Sequence, residues 1–217
     1  MKNDITLLIG TCDKYSYLWD NFVNLCNKYW QVNCDKIFAG ETLQVKHKGY
    51  YTSMCGKTQW SNIIKNTIKN IKTEYVYFVL DDYYFNQTIT EKHIEDGINF
   101  LKENDDANKL VYTSVYCEYY NLSHVKETFF KMLDNSDYLT TTQPAIWKKT
   151  FLDKCLKQNF NPWQFEIEGT NIIKGDNNKV YIKHTEDLYF NVVNKGQIIN
   201  KWNFFKKMQN LSDFKLN

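Results

Sequence analysis

Apolar runs alternate with amphipathic helical periods along this chain. That alternation predicts an α/β fold built on a mostly parallel central sheet with helices on both faces. Three stretches carry the prediction. "ITLLIG" (5–10) is a short apolar run of buried-strand length. Trp60, Ile63, Ile64, Ile68 and Ile71 recur at helical spacing. "YVYFVL" (75–80) is β-branched and aromatic, with too little polarity for a half-exposed strand.

The remaining elements follow in order. Leu18, Phe22, Leu25, Cys26 and Tyr29 predict a helix after the first strand, and "DKIFAGE" (35–41) a second strand. Ser61 stands near the start of the helix that leads to 75–80. Thr90 is placed to cap a helix carrying Ile94, Ile98 and Leu101. "LVYTSVYCEYY" (110–120) reads as a strand, and "YLTTTQPAIW" (138–147) as an extended segment that Pro144 ends or edges. Phe151, Leu152, Cys155 and Leu156 suggest a short helix, and "KVYIK" and "LYFNVV" late strands. No repeat, low-complexity block or Pro/Gly-rich linker divides the 217 residues, so residues 1–217 read as one domain, with halves at about 1–85 and 86–217.

Composition excludes several classes. Aromatic residues make up 17%, which argues against disorder. A formal charge of +2 is too balanced for a non-specific nucleic-acid binder. Every strongly basic residue is Lys, so phosphate recognition falls to Lys, backbone N–H groups, helix N-termini or a metal. The six Cys show neither CxxC nor zinc-ligand spacing and read as free thiols of a reducing cytoplasm. The N-terminus lacks a signal-peptide pattern, and no apolar run reaches membrane-spanning length.

The strand "YVYFVL" runs directly into Asp81 and Asp82. In open α/β sheets ligands bind beyond the carboxyl ends of strands. Two adjacent carboxylates in a partly dry site raise each other's pKa unless a positive charge offsets them. No Lys lies within eight residues of the pair, so a divalent cation with hard oxygen ligands is the simplest compensation. Adjacent residues of an extended chain point opposite ways, so one of the two faces such an ion. The bland alternative is a pair of solvated turn residues.

The stretch "QWSNIIKNTIKNIKTEYVYFVLDDYYF" (59–85) resembles bacterial GT-A fold glycosyltransferases of the capsule and lipopolysaccharide biosynthesis type. There an amphipathic helix, a Thr-Glu-Tyr turn and an apolar strand lead to an acidic pair followed by aromatics. "TLLIGTCDKYSYLW" (6–19), "TTQPAIWKKTFL" (141–152) and "NPWQFEIEGT" (161–170) resemble further elements of that group. The resemblance implies a GT-A, nucleotide-diphospho-sugar transferase fold and transfer of a sugar from a nucleotide-diphosphate donor, a UDP-sugar in particular. The acceptor would be a saccharide or lipid-linked glycan in surface polysaccharide assembly. It implies Mn²⁺ or Mg²⁺ held by Asp82, with Asp81 serving the ribose or the metal's outer shell. Thr11 and Asp13 become candidates for base and ribose contacts, and Tyr83, Tyr84 and Phe85 the floor beneath the sugar.

Other residues are weighed the same way. An inverting transferase needs a carboxylate to accept the acceptor's hydroxyl proton. Glu166 fits the Trp-x-Phe-Glu pattern, with Glu168 and Asp187 as alternatives. Trp163 and Trp147 either stack on sugar rings or fill the core, and Gln143 either bonds hydroxyls or is structural. His184 is a candidate metal ligand, and Lys195 and Lys201 are candidates for closing over the diphosphate. The C-terminal "KWNFFKKMQNLSDF" forms an amphipathic pattern that either docks on the domain or lies on the inner face of a membrane. Two rivals stand: a metal-dependent phosphoester hydrolase, which needs more clustered Asp and His ligands, and a carbohydrate-binding module, which leaves the acidic pair unexplained.

Overall fold

The protein's structure, a computed structural model, describes residues 4–113, 120–157, 159–175, 179–185, 188–194 and 196–199. The elements run β1 (Ile5–Gly10), a 3-10 turn (Asp13–Leu18), α1 (Trp19–Tyr29), β2 (Trp30–Gln31), β3 (Asp35–Gly40), β4 (Tyr51–Met54), α2 (Trp60–Ile68), β5 (Tyr75–Leu80), β6 (Tyr83–Phe85), β7 (Ile89–Thr90) and α3 (Glu91–Glu103). There follow β8 (Ala107–Thr113), β9 (Leu122–Lys126), β10 (Phe129–Met132), β11 (Ala145–Lys148), α4 (Lys149–Cys155), α5 (Pro162–Ile173), β12 (Lys179–His184), β13 (Tyr189–Asn191), β14 (Val193–Asn194) and β15 (Gln197–Ile198).

Nine strands form the central sheet in the order β4-β3-β1-β5-β11-β8-β12-β10-β9. β1 runs parallel to β3 and β5, β3 to β4, and β8 to β12. β11 opposes its neighbours β5 and β8, and β10 opposes β12 and β9. Only β11 and β10 therefore run against the rest, and the sheet is mostly parallel as the sequence predicts.

Helices cover both faces. Leu7, Ile9, Tyr77 and Val79 pack with α1 and α3 on one face, through Phe22, Ile94 and Leu101. Leu8, Val76 and Phe78 pack with α2, α4 and α5 on the other, through Ile64, Leu152 and Phe165. The β5 run thus alternates between two cores, which is why it carries almost no polar residue. Burying each of its large side chains contributes about 1.5–3 kcal/mol. Thr90 caps α3 by accepting from the His93 backbone N–H, as expected. Gly97 lets α3 lie against β8: an added Cβ would sit 2.2 Å from the Tyr112 hydroxyl and 2.8 Å from Ile146 Cδ1.

One sequence expectation narrows and two segments gain detail. The extended segment 138–147 becomes a strand only from Ala145; residues 138–142 form a buried strap that begins with Tyr138 at φ 57°. Ser61 stands near the start of α2, as read, and its hydroxyl accepts from the Phe160 N–H at 2.8 Å, tying α2 to the segment before α5. "NPWQFEIEGT" is helical, started by Asn161 in a capping box with Gln164 and by Pro162 in the first turn. Among the described residues no helix is long and apolar enough to cross a membrane. Asp187, Lys195, Lys201 and the C-terminal amphipathic segment lie outside the described residues.

Candidate active site

From β1 the chain passes to β3 on one side, while β5 lies on the other. Such a switch point opens a crevice at the strands' carboxyl ends. A cleft of about 270 Å³ occupies it here. Gly10, Thr11, Cys12 and Tyr15 form one wall; Leu80, Asp81 and Asp82 form the floor; Trp60, Asn161, Pro162 and Trp163 form the other wall. Gly10 is needed where it is, since an added Cβ would lie 3.0 Å from Leu80 Cδ2.

The two aspartates form the turn between β5 and β6, and their carboxylates meet different surroundings. Asp81 turns toward α1 and is buried. Its Oδ2 accepts from the Thr11 hydroxyl and, at 3.1 Å, from Trp19 Nε1, which also donates to Thr11 Oγ1 at 2.7 Å. Burial pushes its carboxyl well above the usual range, against the pull of the Thr11 bond, and the charge of Asp82 adds to the rise. Asp81, Thr11 and Trp19 therefore form a hydrogen-bonded trio at the edge of the cleft.

Asp82 is different. Its Oδ1 is buried and has no hydrogen-bond partner among the described residues. Burial, opposed by a backbone hydrogen bond and reinforced by the charge of Glu166, lifts its carboxyl to about 7. A buried carboxylate oxygen left unpaired costs free energy unless a proton or a cation meets it.

Glu166 projects from α5 back toward the strap. Its Oε1 accepts from the Thr142 N–H at 2.6 Å, the Thr142 hydroxyl at 2.7 Å and the Thr141 hydroxyl at 3.3 Å. The strap is itself sewn to α5 through the Thr140 hydroxyl, which donates to the Phe165 carbonyl at 2.6 Å. Tyr83 stands between these acids: its side chain is hydrogen-bonded to Thr142, and its ring meets Tyr189 edge-on at 5.2 Å. Tyr189 donates to Gln143 Oε1 at 3.2 Å. Gln143, Tyr83, Glu166 and Asp82 are thus brought together.

Trp163 stands 64% exposed at the rim, with a ring face open to a ligand. Asp13 opens the 3-10 turn after β1, where its carboxylate accepts from the Thr42 N–H and the Leu43 N–H, both at 3.0 Å, and from the Thr42 hydroxyl. It joins the loops after β1 and β3. Gly196, in the turn between β14 and β15, lies beside Tyr15: an added Cβ would be 3.9 Å from its hydroxyl.

Several candidates are corrected. Trp147 is fully buried beneath the Lys109 ammonium, 4.1 Å from its ring, and is core rather than a sugar platform. Glu168 lies two residues past Glu166 on a helix, about 200° around it, and faces solvent. His184 ends β12, three strand positions from β5, leaving roughly 14 Å across the sheet to the aspartates, too far to share an ion with Asp82. Tyr84 and Phe85 belong to the core under α1 rather than to the cleft floor.

Sequence reading missed Lys109 and Thr142. Lys109 directly precedes the apolar run of β8, where it reads as a strand-end lysine and gave no clear signal. Thr142 carried no signal, because its role depends on a fold-back of the strap.

Fold and crevice together define a mostly parallel α/β domain of GT-A type, with a cleft at the strands' carboxyl ends. No protein-family model and no curated protein matches the chain. Among solved structures it is similar to S. aureus TarS, at 14% identity and a TM-score of 0.56 over 97% of this chain and 39% of that one. It is also similar to S. aureus TarS 1-349 in complex with UDP-GlcNAc, at 15% identity and a TM-score of 0.57 over 97% of this chain and 65% of that one. A third is the 2-C-methyl-D-erythritol 4-phosphate cytidylyltransferase from Thermus thermophilus, at 9% identity and a TM-score of 0.54, covering 90% of this chain and 94% of that one. The chain spans 39% to 65% of the length of these TarS chains. At such identities the likeness shows a shared fold.

Proposed function

We propose that the protein is a glycosyltransferase that takes a sugar from a UDP-sugar in this cleft and passes it to a saccharide or lipid-linked glycan of a surface polysaccharide. The observation that carries the reading is the unpartnered, buried Oδ1 of Asp82 at the end of β5, with the Glu166 carboxylate held nearby. The TarS structure of the same fold that holds UDP-GlcNAc supports the choice of donor.

The residues present fit a bound Mn²⁺ or Mg²⁺. Asp82 offers a hard oxygen in need of positive charge, and such ions take their remaining ligands from water and phosphate. Among the described residues no group of three His, Cys, Asp or Glu side chains could hold an ion, so Asp82 would be its one carboxylate ligand from the chain. When bound, the ion would offset the diphosphate's charge.

The chain's own groups divide the remaining work. Trp163 offers a face to a sugar ring. Gln143 and Tyr189 present polar atoms to hydroxyls beside Tyr83. Glu166 accepts the acceptor's hydroxyl proton as that oxygen bonds to the anomeric carbon. The bond from that carbon to the diphosphate breaks, and its electron pair leaves on phosphate. Attack from the face opposite the leaving group inverts the anomeric centre. Lys195, the neighbour of Gly196, and Lys201 are proposed to neutralise the diphosphate from outside the described residues.

A second reading, nucleotidyl transfer, is favoured by the match along 94% of the cytidylyltransferase. It asks the cleft to take a triphosphate, although among the described residues its lining includes no lysine. A panel of nucleotide sugars with Mn²⁺ separates the two. We expect slow hydrolysis of one UDP-sugar without acceptor. Pyrophosphate release from a nucleoside triphosphate plus a sugar phosphate, with every nucleotide sugar left intact, would overturn the reading.

A further inference from the structure

Lys109 is fully buried in the middle of the sheet, on β8. It has no carboxylate partner within ion-pair reach among the described residues; its ammonium donates to the Leu139 carbonyl at 3.1 Å and the Thr141 carbonyl at 2.8 Å. Its remaining side faces the Trp147 ring at 4.1 Å. A buried ammonium satisfied only by carbonyls and a ring is an expensive way to fill space, and a well-packed apolar side chain serves stability at least as well. What lysine supplies and an apolar residue cannot is a pair of donors to two carbonyls two residues apart.

Those carbonyls belong to the strap that holds Glu166. The strap residues Leu139, Thr140, Thr141 and Thr142 are all buried. One end of the arrangement is Lys109, fixed in the sheet. The other is the Thr142 N–H and hydroxyl on Glu166 Oε1. Gly169 on α5 makes room, since an added Cβ would lie 3.1 Å from Thr140 Oγ1. We propose that Lys109 is a positioning residue: it clamps the 139–142 strap from inside the sheet and, through Thr142, fixes the direction of the Glu166 carboxylate. The consequence for turnover rests on the reading of Glu166 as the base; the clamp itself does not.

The test uses Lys109→Met, which keeps the length of the side chain and removes its donors. The Thr142 amide should exchange slowly with solvent in the wild type and at least tenfold faster in the variant, while β5 amides hold their rates. Unchanged Thr142 exchange in Lys109→Met overturns the clamp whatever happens to activity. If the variant does not fold, the wild type still decides: a Thr142 amide that exchanges at loop rates overturns the proposal. With an active donor in hand, kcat should fall about 10- to 100-fold with the donor KM nearly constant, because the base is misdirected while the cleft is intact. In a Glu166→Gln background the same substitution should cost nothing further. Losses that multiply in the double variant would show a general structural role and overturn the positioning claim. Lost Thr142 protection without transfer from any nucleotide sugar would sustain the clamp and sink the functional reading instead.

Discussion

Asp82→Asn should make the metal-free protein more stable, in a pH-dependent way. Burial lifts the folded carboxyl from 3.8 to about 7, so the folded chain binds this proton more tightly than the unfolded chain does. The sign follows. Stability from this group is complete below pH 3.8, falls as pH rises toward 7, and is level above it. The difference of about three pKa units is worth about 4 kcal/mol at pH 8. At pH 5 it is below about 2 kcal/mol, because only the lower part of the window has been crossed. Asn keeps the shape and never ionises, so it escapes the penalty. Urea denaturation in EDTA should place the variant about 4 kcal/mol above wild type at pH 8, with the gap narrowing at pH 5. A chain of this length should show a gain of roughly 8–16 °C in Tm at pH 8. A variant equal to or less stable than wild type at pH 8, or a gap that ignores pH, would refute the argument that Asp82 is a desolvated, uncompensated acid.

Two further expectations concern the base and the scaffold. Glu166→Gln should leave UDP affinity within about threefold and cut transfer by about 10²–10⁴-fold, in line with loss of a general base; steady-state kinetics and calorimetry measure the two separately. Gly97→Ala, helix-favouring on a free surface, should instead destabilise by about 1–3 kcal/mol, because its methyl meets the Tyr112 hydroxyl and Ile146; denaturant midpoints test this.

The local part of the fold was legible in the sequence. β1, β3, β5 and the helices between them each declare themselves through apolar runs or a 3.6-residue period, and Thr90 announces α3. Asp81 and Asp82 were legible for the same reason: a run with almost no polar atoms ends abruptly on two acids. Long-range relations were harder to read. Lys109 reaches the Leu139 and Thr141 carbonyls from β8 through a fold-back of the strap that no local spacing announces. Trp147 looked like a candidate platform because its strand position does not reveal that a lysine covers it. Only the Trp-x-Phe-Glu pattern set Glu166 ahead of Glu168 in the sequence, although Asn161, Pro162 and Gln164 carry a capping signal for the helix that turns the two apart. The β9–β10 hairpin went unread because β9 is mostly exposed and offers no apolar run.

Everything proposed for the cleft between β1 and β5 depends on a nucleotide diphosphate meeting Asp82 there. Isothermal titration of UDP into the wild-type protein and into Asp82→Asn, each with Mn²⁺ and then with EDTA, examines that meeting without an acceptor or a known sugar. Wild-type binding should strengthen at least tenfold with Mn²⁺, and the variant should lose this gain. No UDP binding in any condition, or the same gain from Mn²⁺ in both proteins, would show that Asp82 does not hold the diphosphate's metal.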